Sequence, residues 1–124
     1  MPGFGDQPIN FTLVAAVATP RNHIVQVSGA NFGGLATSKT QALVGIAMNE
    51  PANAGEHLSV CPLGRAEVYC NSAVTLGARI TSGASGRAIP AGSGDVIIGY
   101  ALEAASPGDL FTALINASND KMIA

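Results

Sequence analysis

Apolar positions along this chain fall into short runs broken by Gly, Pro, Ser and Asn, and hardly anywhere recur at the three-and-four spacing of an amphipathic helix. His23-Ile24-Val25-Gln26-Val27 is a β-branched run closed by Ser28-Gly29, and Arg65 to Cys70 alternates polar and apolar residues as a half-buried strand does. Ala42 to Met48, His57 to Cys61 and Asp95 to Leu102 read as further strands. Leu110 to Ile115 is dense enough in apolar residues to fit helix or strand. Gly- and Ser-rich Ala30 to Thr40 reads as a loop, Pro62-Leu63-Gly64 as a turn, and Ser82 to Gly86 as another turn. The tail from Asn116 reads as frayed.

A repeat organises these runs. Val44-Gly45-Ile46-Ala47, followed by Gly55-Glu56 and an apolar strand, is echoed by Ile98-Gly99-Tyr100-Ala101, then Gly108-Asp109 and an apolar strand, with one gap inside the turn. The echo assigns Leu110 to Ile115 to a strand and places it opposite His57 to Cys61. Gly45 and Gly99 stand mid-strand, where glycine costs stability unless a bulge, a barrel corner or a close backbone needs it. Two hairpins bent at equivalent points predict a small sheet curved into a barrel. Glu56 and Asp109, each after a turn glycine, are expected to tip their hairpins.

Residues 1–20 carry Pro2, Pro8 and Pro20 around Gly3 and Gly5, and predict an extended N-terminal arm leading into a strand. Residues 21–124 then form a single β-rich domain, since 124 residues leave room for one core. A starting Met1 gives the expectation of a complete gene product. Phe4, Ile9 and Phe11 are the arm's candidate contact residues, because an extended segment can add a strand to another protein's sheet edge while its side chains fill pockets. The alternative is a plain disordered leader.

Composition narrows the class. Charged residues make up 11% of the chain, under half the usual quarter, while 48% are hydrophobic and 5% aromatic. A net charge of −2 spread over so few ionic groups does little to keep neighbours apart, which suits a surface packed against other proteins. The cations Arg21, Lys39, Arg65, Arg79, Arg87 and Lys121 are scattered singly, so no nucleic acid partner is expected. The longest apolar stretch, Phe11 to Ala18, falls far short of a membrane span, and the Lys/Arg start of a secretory signal is missing.

Catalytic chemistry has little to stand on. Gly83-Ala84-Ser85-Gly86 is one residue short of the G-x-S-x-G elbow and lacks its strand-to-helix context. Gly29 to Gly34 has no Lys-Ser/Thr and no following helix to make a phosphate loop. Cys70 with His57 would be a candidate dyad, but Cys70 sits in an alternating strand and reads as core. Cys61 and Cys70 are read as two small buried thiols, the Pro62-Leu63-Gly64 turn being expected to bring Cys61 opposite a residue nearer Arg65 than Cys70. With only His23 and His57 available, a zinc site is not expected, and the eight acidic residues show no Ca²⁺-loop spacing.

In order along the chain, Val44-Gly45-Ile46-Ala47, Ala54-Gly55-Glu56, Gly64-Arg65-Ala66-Glu67-Val68, Ala73 to Ser82, Gly86-Arg87-Ala88 and Ile98 to Leu110 form a motif set. Through it the stretch from Ala42 to Ile115 resembles the capsid decoration (cement or stabilisation) proteins of tailed bacteriophages. The closing segment Ile98-Gly99-Tyr100-Ala101-Leu102-Glu103-Ala104-Ala105-Ser106-Pro107-Gly108-Asp109-Leu110 is the most specific part. One departure is Ala78, where the family usually carries Asp or Gly. The resemblance implies an all-β, small β-barrel or β-tulip-like subunit built from short hairpins. It implies a homotrimer at three-fold and quasi-three-fold positions, made in the host cytoplasm and bound to the major capsid protein on the outer surface of the virion. It implies no enzyme activity, cofactor or membrane. Two other readings are a virion-displayed host- or glycan-binding module, poorly supplied by a chain with no Trp and two Tyr, and a Cys- or Ser-dependent hydrolase.

Overall fold

Nine strands and no helix occupy the described residues, 9–39 and 42–116, of a computed structural model of the chain. They are β1 (Ile9–Ala15), β2 (Ile24–Gly29), β3 (Phe32–Leu35), β4 (Leu43–Ala47), β5 (His57–Tyr69), β6 (Arg79–Ser82), β7 (Ala88–Pro90), β8 (Gly99–Ala101) and β9 (Leu110–Asn116). Hydrogen bonding runs in the order β1-β3-β2-β4-β5-β9-β8-β6-β7, and β1 also pairs with β5. The first five strands therefore close into a barrel, while β9, β8, β6 and β7 extend from β5 as a second lobe. The expected all-β barrel is what the chain forms. The sequence before Ile9, Phe4 included, and the tail after Asn116 lie outside the described residues.

Within the stretch read as an arm, residues 9–15 form a barrel strand. β1 runs antiparallel to β5, with Leu13 opposite Leu58, and parallel to β3, with Val14 opposite Phe32.

Two cores explain why the apolar runs look continuous. Successive residues of a strand face opposite sides, so a strand covered on both sides is apolar at every position. Val25, Ala47 and Val60 join Leu13, Ala15 and Leu58 in one cluster inside the barrel. Their neighbours Ile24, Ile46 and Cys61 face the other way, into a larger cluster with Phe111, Ile115, Ile80, Ile98 and Val68 of the lobe. The barrel's outer wall on that side is thus the floor of the lobe's core.

Four expectations are corrected. The segment Ala30 to Thr40 contains β3, hidden by its glycines. A Cβ on Gly33 would stand 2.6 Å from a Leu13 methyl and 3.3 Å from Val25, so in the narrow barrel any side chain there would have to push the Leu13 methyl aside. Pro62-Leu63-Gly64 is no turn; β5 passes straight through it, because Pro62 falls where β5 ends its pairing with β4 and begins its pairing with β9. Accordingly β9 lies opposite Leu63 to Tyr69, not His57 to Cys61. From Asp95 to Leu102 only Gly99–Ala101 is strand.

Gly45 and Gly99 play the equivalent parts that their repeat predicted. A Cβ on Gly45 would strike the Cys61 carbonyl of β5, and one on Gly99 the Leu114 carbonyl of β9. Each glycine lets the first strand of its hairpin approach the second at the bend.

Candidate functional site

Reactive side chains lie apart from one another. His57 begins β5 and Cys70 follows its end, so the strand itself separates the imagined dyad by roughly 40 Å at ~3.3 Å per residue. Cys61 and Cys70 are both free and buried, and their separation along β5, rather than a turn, keeps them from pairing. Burial pushes both thiols above their ordinary pKa, and at Cys70 the Asp109 carboxylate pushes further. Such thiols stay protonated and are poor nucleophiles near neutral pH.

His23 serves a structural junction. Its Nδ1 lies 2.9 Å from the Arg21 carbonyl and its Nε2 3.4 Å from Arg87 Nε, which assigns Nε2 as acceptor and Nδ1–H as donor. Arg87 also lies over the Tyr69 ring, 5.3 Å from its centroid, tying the loop before β7 to the end of β5.

Three of the carboxylates are spent on turns. Glu56 Oε1 accepts from the backbone N–H of Ala52 and Asn53, at 2.7 and 3.0 Å, and Asp109 Oδ2 from that of Ser106 at 3.1 Å. Both follow a glycine of positive φ, as the hairpin-tip expectation required. Asp95, which that expectation did not include, does the same: its Oδ2 accepts from Gly92 N–H at 2.7 Å, and its Oδ1 lies 3.7 Å from Lys39 Nζ. The dipeptide Gly94-Asp95 repeats Gly108-Asp109 and was the signal that marked it. Glu103 accepts from Thr112 N–H at 2.8 Å. Among the described residues no group of three or more His, Cys, Asp or Glu converges as a metal site.

What the surface does offer is exposed apolar area, which apart from Val17 and Leu76 gathers in two places. The first is the barrel end where β1 begins and β2 finishes. Phe11 and Val27 lie two residues beyond the buried Leu13 and Val25 on the same sides of their strands, and are 36% and 41% exposed where the barrel opens. Val14 and Phe32 are paired and exposed on its outer wall nearby. Of the predicted contact residues, Phe11 therefore stands at the mouth, Ile9 sits beside it in β1 opposite Leu63, and Phe4 is outside the described residues.

The second is the outer face of the lobe, which sequence reasoning missed. One row crosses four strands, Arg65 of β5, Leu114 of β9, Tyr100 of β8 and Arg79 of β6, each opposite the next. Leu63, Leu102 and Leu110 extend it, and these leucines, Leu114 and Tyr100 are all exposed. The next row holds Glu67 opposite Thr112, with Glu103 bonded to Thr112 from the β8 side. Its signal was Leu110 and Leu114 alternating with Phe111, Ala113 and Ile115, a strand apolar on both faces.

The chain is thus a closed β body with two exposed apolar surfaces, and Glu56, Asp95 and Asp109 are committed to its own turns. The model of the phage cement protein family matches residues 4–116, and the chain belongs to that family. It is also similar to the head fiber gp8.5 N base of bacteriophage phi29, with a TM-score of 0.71 and 22% identity over 94% of this chain and 100% of that one. Family membership gives this chain a capsid-associated structural role in the virion.

Proposed function

We propose that this chain is a non-enzymatic decoration protein that binds the major capsid protein on the outer surface of the head. It stabilises the shell there as a homotrimer at three-fold and quasi-three-fold positions. The observation that carries this reading is the exposed apolar barrel mouth, Phe11 and Val27, at the end from which residues 1–8 depart. The contact is made by Phe4, Ile9 and Phe11 of the N-terminal segment. Three such segments on one trimer bind at once, so each weak contact gains from the high effective concentration set by the other two. A shell under internal pressure from packaged DNA is held more firmly when each joint is clamped in this way. The chain is made in the host cytoplasm and joins the head there.

The test is attachment. Purified chain added to mature capsids of its own phage, stripped of decoration, is expected to bind them and raise their resistance to heat and chelators. No binding to any expanded head of that phage would overturn the reading. Deletion of residues 1–8, which leaves β1 whole, is expected to keep the melting temperature and weaken attachment at least tenfold; unchanged attachment would remove the N-terminal segment from the contact.

A further inference from the structure

The second half of β5 turns a set of main-chain groups toward an edge that no other described strand covers. Successive residues of a strand point their N–H and C=O to opposite edges. Cys70 donates to the Asp109 carbonyl at 2.8 Å and accepts from Gly108 N–H at 2.7 Å, on the β9 side, while Tyr69 N–H turns the other way to the Asn22 carbonyl at 3.1 Å. Counting back, Ala66 and Val68 bond β9, and Arg65 and Glu67 present N–H and C=O to the opposite edge. Thr112 agrees: opposite Glu67, it gives its own carbonyl to the N–H of Leu102, just past β8, at 3.0 Å. No described residue bonds the main chain of Arg65 or Glu67 on that edge.

The edge is a slot with two ends. At Leu63 it is held by Ile9 of β1, because β9 has the other side there, and at Tyr69 by Asn22. Between them run Gly64 to Val68, roughly 17 Å of strand. Where β7 ends the hydrogen-bonding order, by contrast, Cys70 and Asn71 meet Ala88. An unpaired edge of this kind takes an extended peptide through main-chain hydrogen bonds. The eight residues before Ile9 are ill suited to it, since Pro2, Gly3, Gly5 and Pro8 make up half of them. The partner that family membership supplies is the capsid. We infer that the slot receives an extended segment of the major capsid protein, about five residues long, as an added strand beside β5. Residues of that segment beside Arg65 and Glu67 face solvent and are polar; the one beside Ala66, whose side chain points to the lobe's core, is apolar. The inference rests on the capsid contact proposed above and names what the capsid brings to it.

The experiment reads the main-chain groups themselves. In the full chain free in solution, amide exchange followed by NMR is expected to be at least a hundredfold faster at Arg65 and Glu67 than at Ala66 and Val68. On stripped mature capsids, exchange of the peptide covering residues 63–69 should slow by about two amides. Glu67→Pro removes one N–H of the slot and none of the β9 ladder, so it should keep the melting temperature and weaken attachment at least tenfold. Glu67→Ala, which keeps the N–H, should attach as wild type does. Equal protection of all four amides in the free chain overturns the inference, because the chain itself or a second copy then fills the slot. So does unchanged attachment of Glu67→Pro, an equal loss in Glu67→Ala, or exchange over residues 63–69 that capsids leave unaltered. If circular dichroism shows that Glu67→Pro has lost its strands, exchange of the wild type on capsids decides alone. Wild type that attaches with the slot still exchanging sinks the slot and spares the capsid role; wild type that attaches to no head of its phage sinks both.

Discussion

The barrel and the lobe share β5 and hold themselves together by different means. Inside the barrel six buried residues, none larger than leucine, fill a space so narrow that a Cβ on Gly33 would press on the Leu13 methyl. The lobe buries seventeen, Phe111 among them, some borrowed from the barrel's outer wall. Its own strands complete their ring only through a single parallel bridge between Cys70 and Ala88. Closure of the hydrogen-bond ladder stabilises the first region where burial is scarce, and burial stabilises the second where closure is slight. A barrel of this kind fails when a strand is taken away; a lobe of this kind fails when volume is.

The largest effect follows from that contrast. Deleting residues 1–15 removes β1, leaves β3 and β5 with unpaired edges and bares Leu58 and Val60. Cooperative thermal unfolding should vanish, whereas Phe111→Ala, which empties the middle of the larger core, should keep a cooperative transition at a cost of about 3–5 kcal/mol. A deletion chain that melts as sharply as the Phe111→Ala chain would break the comparison. Calorimetry of the two reads it directly.

Smaller changes test the two hairpins against each other. Gly99→Ala places a methyl against the Leu114 carbonyl and should cost about 2–3 kcal/mol in denaturant unfolding. Gly45→Ala meets the Cys61 carbonyl in the same way, and its φ of 149° lies where an L side chain is strained, which adds about 1 kcal/mol. Equal losses at the two sites would mean that the barrel hairpin is no more constrained than the lobe hairpin.

How much of this was legible in the sequence depended on how local each feature is. β2, the alternating second half of β5 and the paired glycines of the repeat declare themselves through neighbouring residues. β3 did not, because Gly33-Gly34 carries no alternation to read; its glycines answer to Leu13, twenty positions away. Pro62 read as a breaker because it lacks an N–H, but at the point where β5 changes partners none is required. The barrel's closure rests on a parallel pairing of β1 with β3 that no short pattern encodes. The same holds for the surfaces. Phe11 was found as an apolar residue in an extended stretch, while the row from Arg65 to Arg79 exists only once the registers of three strand pairs are known.

The smallest effect concerns the turns, which both regions use. Glu56, Asp95 and Asp109 each donate their own N–H to a carbonyl three residues back, at 3.4, 3.1 and 3.0 Å, across a glycine with φ of 92°, 83° or 89°. Each also takes a hydrogen bond on its carboxylate from the N–H of the residue that begins the turn. Thr75-Leu76-Gly77-Ala78 has the same frame, with Ala78 N–H to Thr75 oxygen at 3.1 Å and Gly77 at φ 82°, but ends in a methyl. Of the two residues the resemblance leads one to expect at Ala78, Asp or Gly, an Asp would supply the cap that this turn lacks. Asp109→Ala should therefore cost about 1 kcal/mol, and Ala78→Asp should return about 0.5–1 kcal/mol by giving Thr75 N–H its acceptor. For a domain of this size the gain is a rise of roughly 2–5 °C in melting temperature. If Asp109→Ala lowers the melting temperature while Ala78→Asp leaves it unmoved, the cap depends on the packing of its own hairpin rather than on the turn frame alone.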